Sequence, residues 1–358
     1  MTVYLDHNAT SPMLPEVARA MRPWWGVPAN ASSVHQAGQR ARSAVERARR
    51  QVATLLGRPA AGVVFTSGAT EANATWWAAQ RALGRHTAGL AAIEHPSSRL
   101  AAERSGLQLQ WLPVGADGVV GLATEPPDAL SLMLANHETG VLQPVAEAFA
   151  LGVPVHVDAT QAVGRVHLEL TEAEAVVFSG HKLGGPPGIG VLSLASGDAF
   201  PALVPGAQER GRRGGTENVA AIVGLGVACE QAAKTLRDHL GAMGQRQQRL
   251  EQALAELGGV VVGSSASRVP QTTCVVFPGV PGELVVQALD LRGVAVSSGA
   301  ACASGSTEPS PVLVAMGHAH PASSVRISAG PHTEEADIDT LIDALRDILP
   351  SLAELDAP

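Results

Sequence analysis

The chain has 358 residues, a formal net charge of −8 and only 16% charged residues. That length is too great for one minimal core and suits a large α/β domain joined to a smaller one. Sparse, net-acidic charge argues against a general nucleic-acid surface and for a protein that handles small molecules.

The start, Met1-Thr2-Val3-Tyr4-Leu5-Asp6, has neither a basic segment nor an apolar stretch of signal-peptide length. No later run reaches the roughly 18 apolar residues of a membrane helix, so the expectation is a cytoplasmic protein without a membrane partner. A helical pattern follows from Gln36 to Leu56. Within it Arg40 to Arg50 is locally basic, but its arginines alternate with Ala, Val and Glu at helical spacing, which reads as a solvated face.

Apolar runs then alternate with helical patterns. Strands are expected at Gly62 to Phe65, Ala88 to Ile93, Gln108 to Leu112, Leu130 to Leu134, Val153 to Val157, Ala175 to Phe178 and Gly190 to Leu194, with a helix at Thr70 to Leu83. This order predicts a mainly parallel sheet covered by helices. A long helix from Asn218 to about Leu257 bridges to a second region. There, short strands near Gly259 to Val262 and Thr273 to Phe277 precede a helix at Gly282 to Leu291, a strand at Ser324 to Ser328 and a final helix from Glu334.

Two residues stand at strand ends on this map. Asp158 closes the run Val153 to Val157, and Lys182 follows Ala175 to Phe178 in Ser179-Gly180-His181-Lys182, just before the glycine-rich stretch Leu183 to Gly190. Ligands of α/β sheets bind at that edge. A lysine with a carboxylate there suggests pyridoxal 5'-phosphate (PLP), held as a Schiff base with the acid at its pyridine nitrogen. The string Thr66-Ser67-Gly68-Ala69-Thr70-Glu71 opens a helix with small residues, either as a phosphate-binding start or as a simple cap at Ser67 or Thr70. Arg326, in Ser324-Val325-Arg326-Ile327-Ser328, is either a solvent-facing strand arginine or a clamp for an α-carboxylate.

Three widely separated cysteines form neither a disulfide framework nor a metal-binding pattern, and no metal site is expected. Cys229 sits in a helical run and Cys274 in a strand, so both are expected in the core. Cys302 differs. It lies in Ser297-Ser298-Gly299-Ala300-Ala301-Cys302-Ala303-Ser304-Gly305-Ser306, small residues that offer no core, and a thiol on such a loop can swing between substrate and partner.

In order along the chain, Tyr4 to Thr10, Thr66 to Glu71, Glu94-His95-Pro96, Val157 to Gly164, Ser179 to Lys182, Gln208 to Gly211 with Gly215 to Asn218, and Ser297 to Glu308 resemble the class V aminotransferases, and within them the cysteine desulfurases of the NifS/IscS type. The resemblance covers nearly the whole chain. It implies the PLP-dependent transferase fold type I: a large domain over 16–255 with a mainly parallel seven-stranded sheet, and a smaller α+β domain formed by 1–15 with 256–358. It also implies a homodimer.

The resemblance further implies roles. Lys182 would hold PLP, Asp158 would pair with the pyridinium, and His95 would stack on the ring and move protons. Ala69, Thr70, Ser179 and His181 would hold the phosphate, with Thr216 joining from the neighbouring subunit, and Gln161 would bond the ring oxygen. Arg326 and Asn30 would hold the carboxylate of L-cysteine. Cys302 matches the persulfide-forming cysteine, whose thiolate attacks the substrate sulfur, leaves L-alanine, and passes the sulfur to an acceptor such as an iron–sulfur scaffold. Two departures stand out. Where the family has a second asparagine before Glu-x-Gly, this chain has His137 in Asn136-His137-Glu138-Thr139-Gly140, a titratable donor at the PLP ring oxygen. Ala31 follows Asn30 where the family favours proline. The competing readings are a selenocysteine lyase or aminotransferase in which Cys302 is incidental, and a sulfur-delivery protein without catalysis.

Overall fold

The computed structural model describes residues 2–299 and 309–355. In chain order the elements are β1 (Val3–Tyr4), α1 (Pro15–Met21), α2 (Gln36–Leu56), β2 (Val63–Thr66), α3 (Ala69–Ala79), β3 (Thr87–Ala91), α4 (Pro96–Arg104), β4 (Gln108–Leu112), β5 (Leu130–Met133), α5 (Val145–Phe149), β6 (Val155–Asp158), β7 (Ala175–Ser179) and β8 (Gly190–Leu194). The second half adds α6 (Val219–Glu256), β9 (Val260–Val261), β10 (Thr272–Val276), α7 (Gly282–Asp290), β11 (Val294–Ala295), β12 (Ser297–Ser298), α8 (Pro311–Ala315), β13 (Ser324–Ser328) and α9 (Glu335–Leu355).

Seven strands form the central sheet in the order β2-β8-β7-β6-β5-β3-β4. All its pairings are parallel except those of β8, which runs antiparallel to both β2 and β7. The fold is thus α/β with a mainly parallel seven-stranded sheet. Strand alternation sorts side chains onto two buried faces. Val176 and Phe178 of β7 join the core beneath α2 and α6, whereas Ala175 and Val177 pack with Trp76 and Trp77 of α3 on the other face.

A third core lies outside the large sheet. Leu5, Leu250, Leu254, Val275, Val285, Val325 and Leu341 form it, around the four-stranded sheet β12-β13-β10-β9 and helices α7 and α9. The amino-terminal β1 pairs in parallel with β11, nearly three hundred residues away in sequence, through Val3 opposite Val294 and Tyr4 opposite Ala295.

Two sequence expectations need correction. Among the described residues α6 is long and apolar enough to cross a membrane by length and composition, although no such run was anticipated. It is a core helix: Ile222, Leu225 and Cys229 are buried, and it packs along α1 and α2. The basic stretch of α2 is not wholly solvated either. Arg49 is 4% exposed and makes a two-pronged ion pair with Glu209 at 2.7 and 2.9 Å, while Glu209 also accepts the Phe65 amide. Helical spacing placed Arg49 among surface arginines, but a partner 160 residues away drew it inside.

Candidate active site

The carboxyl ends of β5, β6 and β7, with the start of α3, open into a cavity of about 490 Å³. Its lining includes Ala69, Thr70, His95, His137, Asp158, Gln161, Ser179, His181, Lys182 and Arg326. Ten of the expected site residues, scattered over more than 250 positions, therefore meet on one surface. Three do not. Asn30 is exposed and its Oδ1 accepts the Ser32 amide, Thr216 is exposed on the segment leading to α6, and Cys302 lies outside the described residues.

Lys182 emerges from a single tight helical turn, Gly180–Leu183, directly after β7. Its ammonium donates to the carbonyls of Asn8 at 2.5 Å and Ala9 at 2.7 Å. Asp158 is the last residue of β6; its Oδ1 accepts the Thr160 amide and its Oδ2 accepts Asn73 Nδ2, both at 3.0 Å. Two neutral donors fix the carboxylate's orientation without neutralising it.

His95 caps α4. Its Nδ1 accepts the Ser97 amide at 3.1 Å, so the neutral ring carries its proton on Nε2. Burial lowers its pKa, outweighing the opposite pull of Asp158. His137 meets His95 edge-to-face with ring centres 5.5 Å apart. Burial first, and then the neighbouring His95 ring and the cations Arg326 and Lys182, hold the His137 pKa well below its ordinary value. His137 is therefore a neutral hydrogen-bonding ring at physiological pH.

Arg326, in the middle of β13, is 3% exposed. It donates from Nη2 to Asp6 Oδ1 at 2.8 Å and from Nη1 to the His137 carbonyl at 3.1 Å, with Nε unpartnered. Burial excludes the reading of Arg326 as a solvent-facing strand arginine.

The cavity's chemistry fits a phosphorylated pyridine aldehyde. Gly68 opens α3 with no side chain capping it, so the first amides of the helix face the cavity as an anion site. Two buried polar atoms of the lining, Thr160 Oγ1 and His137 Nδ1, have no hydrogen-bond partner among the described residues. Such orphans are rare unless a ligand completes them. The class-V aminotransferase family matches residues 3–341.

The chain belongs to that family.

It is 38% identical to the cysteine desulfurase of Enterobacter agglomerans, over 99% of this chain and 94% of the relative, and 37% identical to the cysteine desulfurase NifS of Azotobacter vinelandii, over 99% and 93%. A solved NifS-like protein superimposes with a TM-score of 0.91 at 30% identity, covering 98% of this chain and all of the other, and the NifS-like protein of Rickettsia africae with 0.89 at 29%, covering 98% and 100%. Like its relatives, this class-V member is a PLP enzyme.

Several residues that shape this aminotransferase site escaped the sequence reading. Arg165 is buried and donates to the side chains of Asn8 and Gln161, both at 2.5 Å, and to the carbonyls of His7 and Lys182. It thereby fastens the segment 7–8 to the lysine turn. Gln161 is engaged at both ends, since its Nε2 also donates to the Asn8 carbonyl at 3.1 Å, which leaves the second Nε2 hydrogen for a ring oxygen. The sequence signal for these partners was weak: Asn8 lay in a recognised string, but an arginine after Val163-Gly164 looks like surface.

Cys229 and Cys274 are buried as expected, and burial pushes both thiols far above their ordinary pKa. Neither can act as a thiolate nucleophile near neutral pH.

Proposed function

We propose that this enzyme is a cysteine desulfurase, taking sulfur from L-cysteine to give L-alanine and a persulfide on Cys302. The observation that carries this reading is the convergence of Lys182, Asp158, His95 and Arg326 on one cavity, in a chain that aligns over nearly its full length with cysteine desulfurases. A solved structure described as SspA in complex with cysteine also shares the fold, with a TM-score of 0.78 at 27% identity, covering 93% of this chain and all of the other.

When bound, PLP supplies an electron sink that makes the substrate Cα–H acidic and its C–S bond labile. Lys182 would hold the cofactor covalently, and its Nζ would be the group that takes and returns the substrate Cα proton. Asp158 keeps the pyridine nitrogen protonated, while Ala69, Thr70, Ser179 and His181 hold the phosphate, with Thr216 contributed by the second subunit of a homodimer. His95 covers the ring and offers its Nε2 proton. His137 and Gln161 direct hydrogen bonds to the ring oxygen. Arg326 and Asn30 would orient the substrate carboxylate.

The Cys302 thiolate then attacks the substrate sulfur. A sulfur–sulfur bond forms as the carbon–sulfur bond breaks, its electron pair returns to the carbon skeleton, and protonation there completes alanine. In this reading residues 16–255 form the cofactor domain, and 1–15 with 256–358 form a smaller domain that carries the thiol. The sulfur passes to an acceptor protein, for instance an iron–sulfur scaffold, in the cytoplasm.

Cys302→Ala tests the reading. Alanine and sulfide formation from L-cysteine should vanish while the PLP absorbance and its borohydride-trapped adduct on Lys182 persist. Unchanged turnover would remove Cys302 from the reaction, absent turnover in the parent enzyme as well would reject the desulfurase assignment, and a protein that takes up no PLP would point to sulfur delivery without catalysis.

A further inference from the structure

A second cavity of about 410 Å³ lies behind the catalytic lysine, between α1, α6 and the segments around Gln271 and Ala329 to Thr333. Residues Tyr4 to Ala9 form the partition between the two cavities. Tyr4 and His7 face the second cavity, while Asp6 holds Arg326, and the Asn8 and Ala9 carbonyls hold Lys182. The walls of the second cavity are largely apolar, with Leu14, Val163, Leu183 and Met243 among them.

One polar group in this wall is unexplained. Gln271 is 4% exposed, yet neither its Oε1 nor its Nε2 has a hydrogen-bond partner among the described residues. Its backbone carbonyl accepts the Ala329 amide at 2.8 Å, which fixes the main chain along this wall. A buried amide with both ends idle is unfavourable unless something supplies one acceptor and one donor side by side.

The charges narrow the class of ligand. The lysine and arginine of the wall, Lys182 and Arg165, point their donors at the carbonyls and side chains of the catalytic side, while Glu16 and Asp337 add negative charge at the mouth. Neither of these two cations directs a described hydrogen bond into the cavity, and of the histidines that also line it, His7, His239 and His332, burial holds His7 neutral. We propose that this cavity is a second ligand site, for a neutral molecule that carries a primary carboxamide or lactam on an apolar body and pairs that group with the Gln271 amide.

The probe is benzamide, compared with benzoate, which is charged, and cumene, which has a similar shape and no polar group. Each is titrated calorimetrically into the full-length PLP-loaded enzyme, with and without saturating L-alanine in the catalytic cavity. One benzamide should bind per chain, unaffected by L-alanine and at least tenfold more tightly than benzoate. Gln271→Leu should weaken benzamide about tenfold, the equivalent of losing its hydrogen bonds, and should bring cumene level with it. Thr235→Phe, which fills the cavity from α6, should abolish binding of both and serves as the second variant if Gln271→Leu fails to fold. No saturable benzamide binding, equal affinity in Gln271→Leu, or displacement by L-alanine would overturn the proposal; the first of these results would mean that water alone satisfies Gln271.

Discussion

Arg326 is already paired with Asp6, Nη2 to Oδ1 at 2.8 Å, before any substrate carboxylate arrives. The aspartate comes from the segment that also holds Lys182, so the carboxylate clamp and the lysine share one backbone support. A second hydrogen bond from Nη1 to the His137 carbonyl fixes the guanidinium plane and leaves its remaining edge for a ligand. Lysine in place of Arg326 would keep the charge but lose this planar, multiply bonded fork. Arg326→Lys is expected to raise KM for L-cysteine by about tenfold or more with a smaller change in kcat. Steady-state kinetics on a variant shown by absorbance to retain PLP will check the split; an unchanged KM would remove Arg326 from substrate binding.

Glu138, next to His137, donates nothing to the cavity but is buried beneath the start of α8, where it accepts the Ser310 hydroxyl at 2.5 Å. Burial pushes its pKa from 4.5 up to about 7. The folded state thus holds a proton that the unfolded chain releases above about pH 4.5, so stability falls as pH rises from there toward 7 and is flat above. The loss over that window is about 3 kcal/mol. Glu138→Gln keeps an acceptor for Ser310 and has no proton to lose. Denaturant melts at pH 5 and pH 8 should show the variant gaining on the parent at the higher pH, and parallel curves would refute the assignment.

The buried histidines act in the opposite sense. His7 and His156 are both held neutral by burial, with pKa lowered from 6.5 to about 4. His156 stacks on Trp76 with ring centres 4.6 Å apart. Below pH 6.5 the unfolded chain takes up protons that these folded rings refuse, so stability is complete above 6.5 and is lost as pH falls toward 4. Each contributes a slope of up to about 1.4 kcal/mol per pH unit. Replacing His156 with Gln should flatten the acid limb of the stability profile between pH 6 and 4.5, as read by the urea midpoint. An acid limb as steep as the parent's would count against it.

The sheet strands were legible because each is a short apolar or alternating run bounded by polar or glycine-rich segments; β4, β8 and β13 fall at the anticipated positions to the residue. Helix α4 was missed because Pro96-Ser97-Ser98-Arg99 reads as a turn, although Pro96 at its first position and His95 capping it with a ring nitrogen mark its start. The pairing of β1 with β11 was invisible, since two-residue strands carry no periodicity and their partner is chosen by the packing of Leu5 into the third core. At the site, strand-end position identified Asp158 and Lys182 from the residues alone. Asn73, Asn8 and Arg165 were hidden because a polar side chain on a helix or after a glycine looks the same in sequence whether it faces water or a buried carboxylate.

Gly190 is a spacing requirement of the site. In β8 it lies against the start of α3, where an added Cβ would come within 2.5 Å of the Gly68 carbonyl carbon, 2.6 Å of the Gly68 Cα and 2.9 Å of the Ala69 nitrogen. These are backbone atoms of a helix turn and cannot rotate away. Gly190→Ala must push the first turn of α3 off the sheet, tilting the amides proposed to hold the phosphate, and overpacking of this kind costs roughly 1–3 kcal/mol. PLP affinity should fall by about tenfold, measured by fluorescence titration of the cofactor-free protein. Gly241→Ala is the matched control: it lies within α6 with nothing inside 4 Å of the added carbon, and should leave PLP affinity unchanged while stabilising the helix by up to about 1 kcal/mol. Equal PLP affinity in the two variants would show that the α3 start does not set the phosphate site.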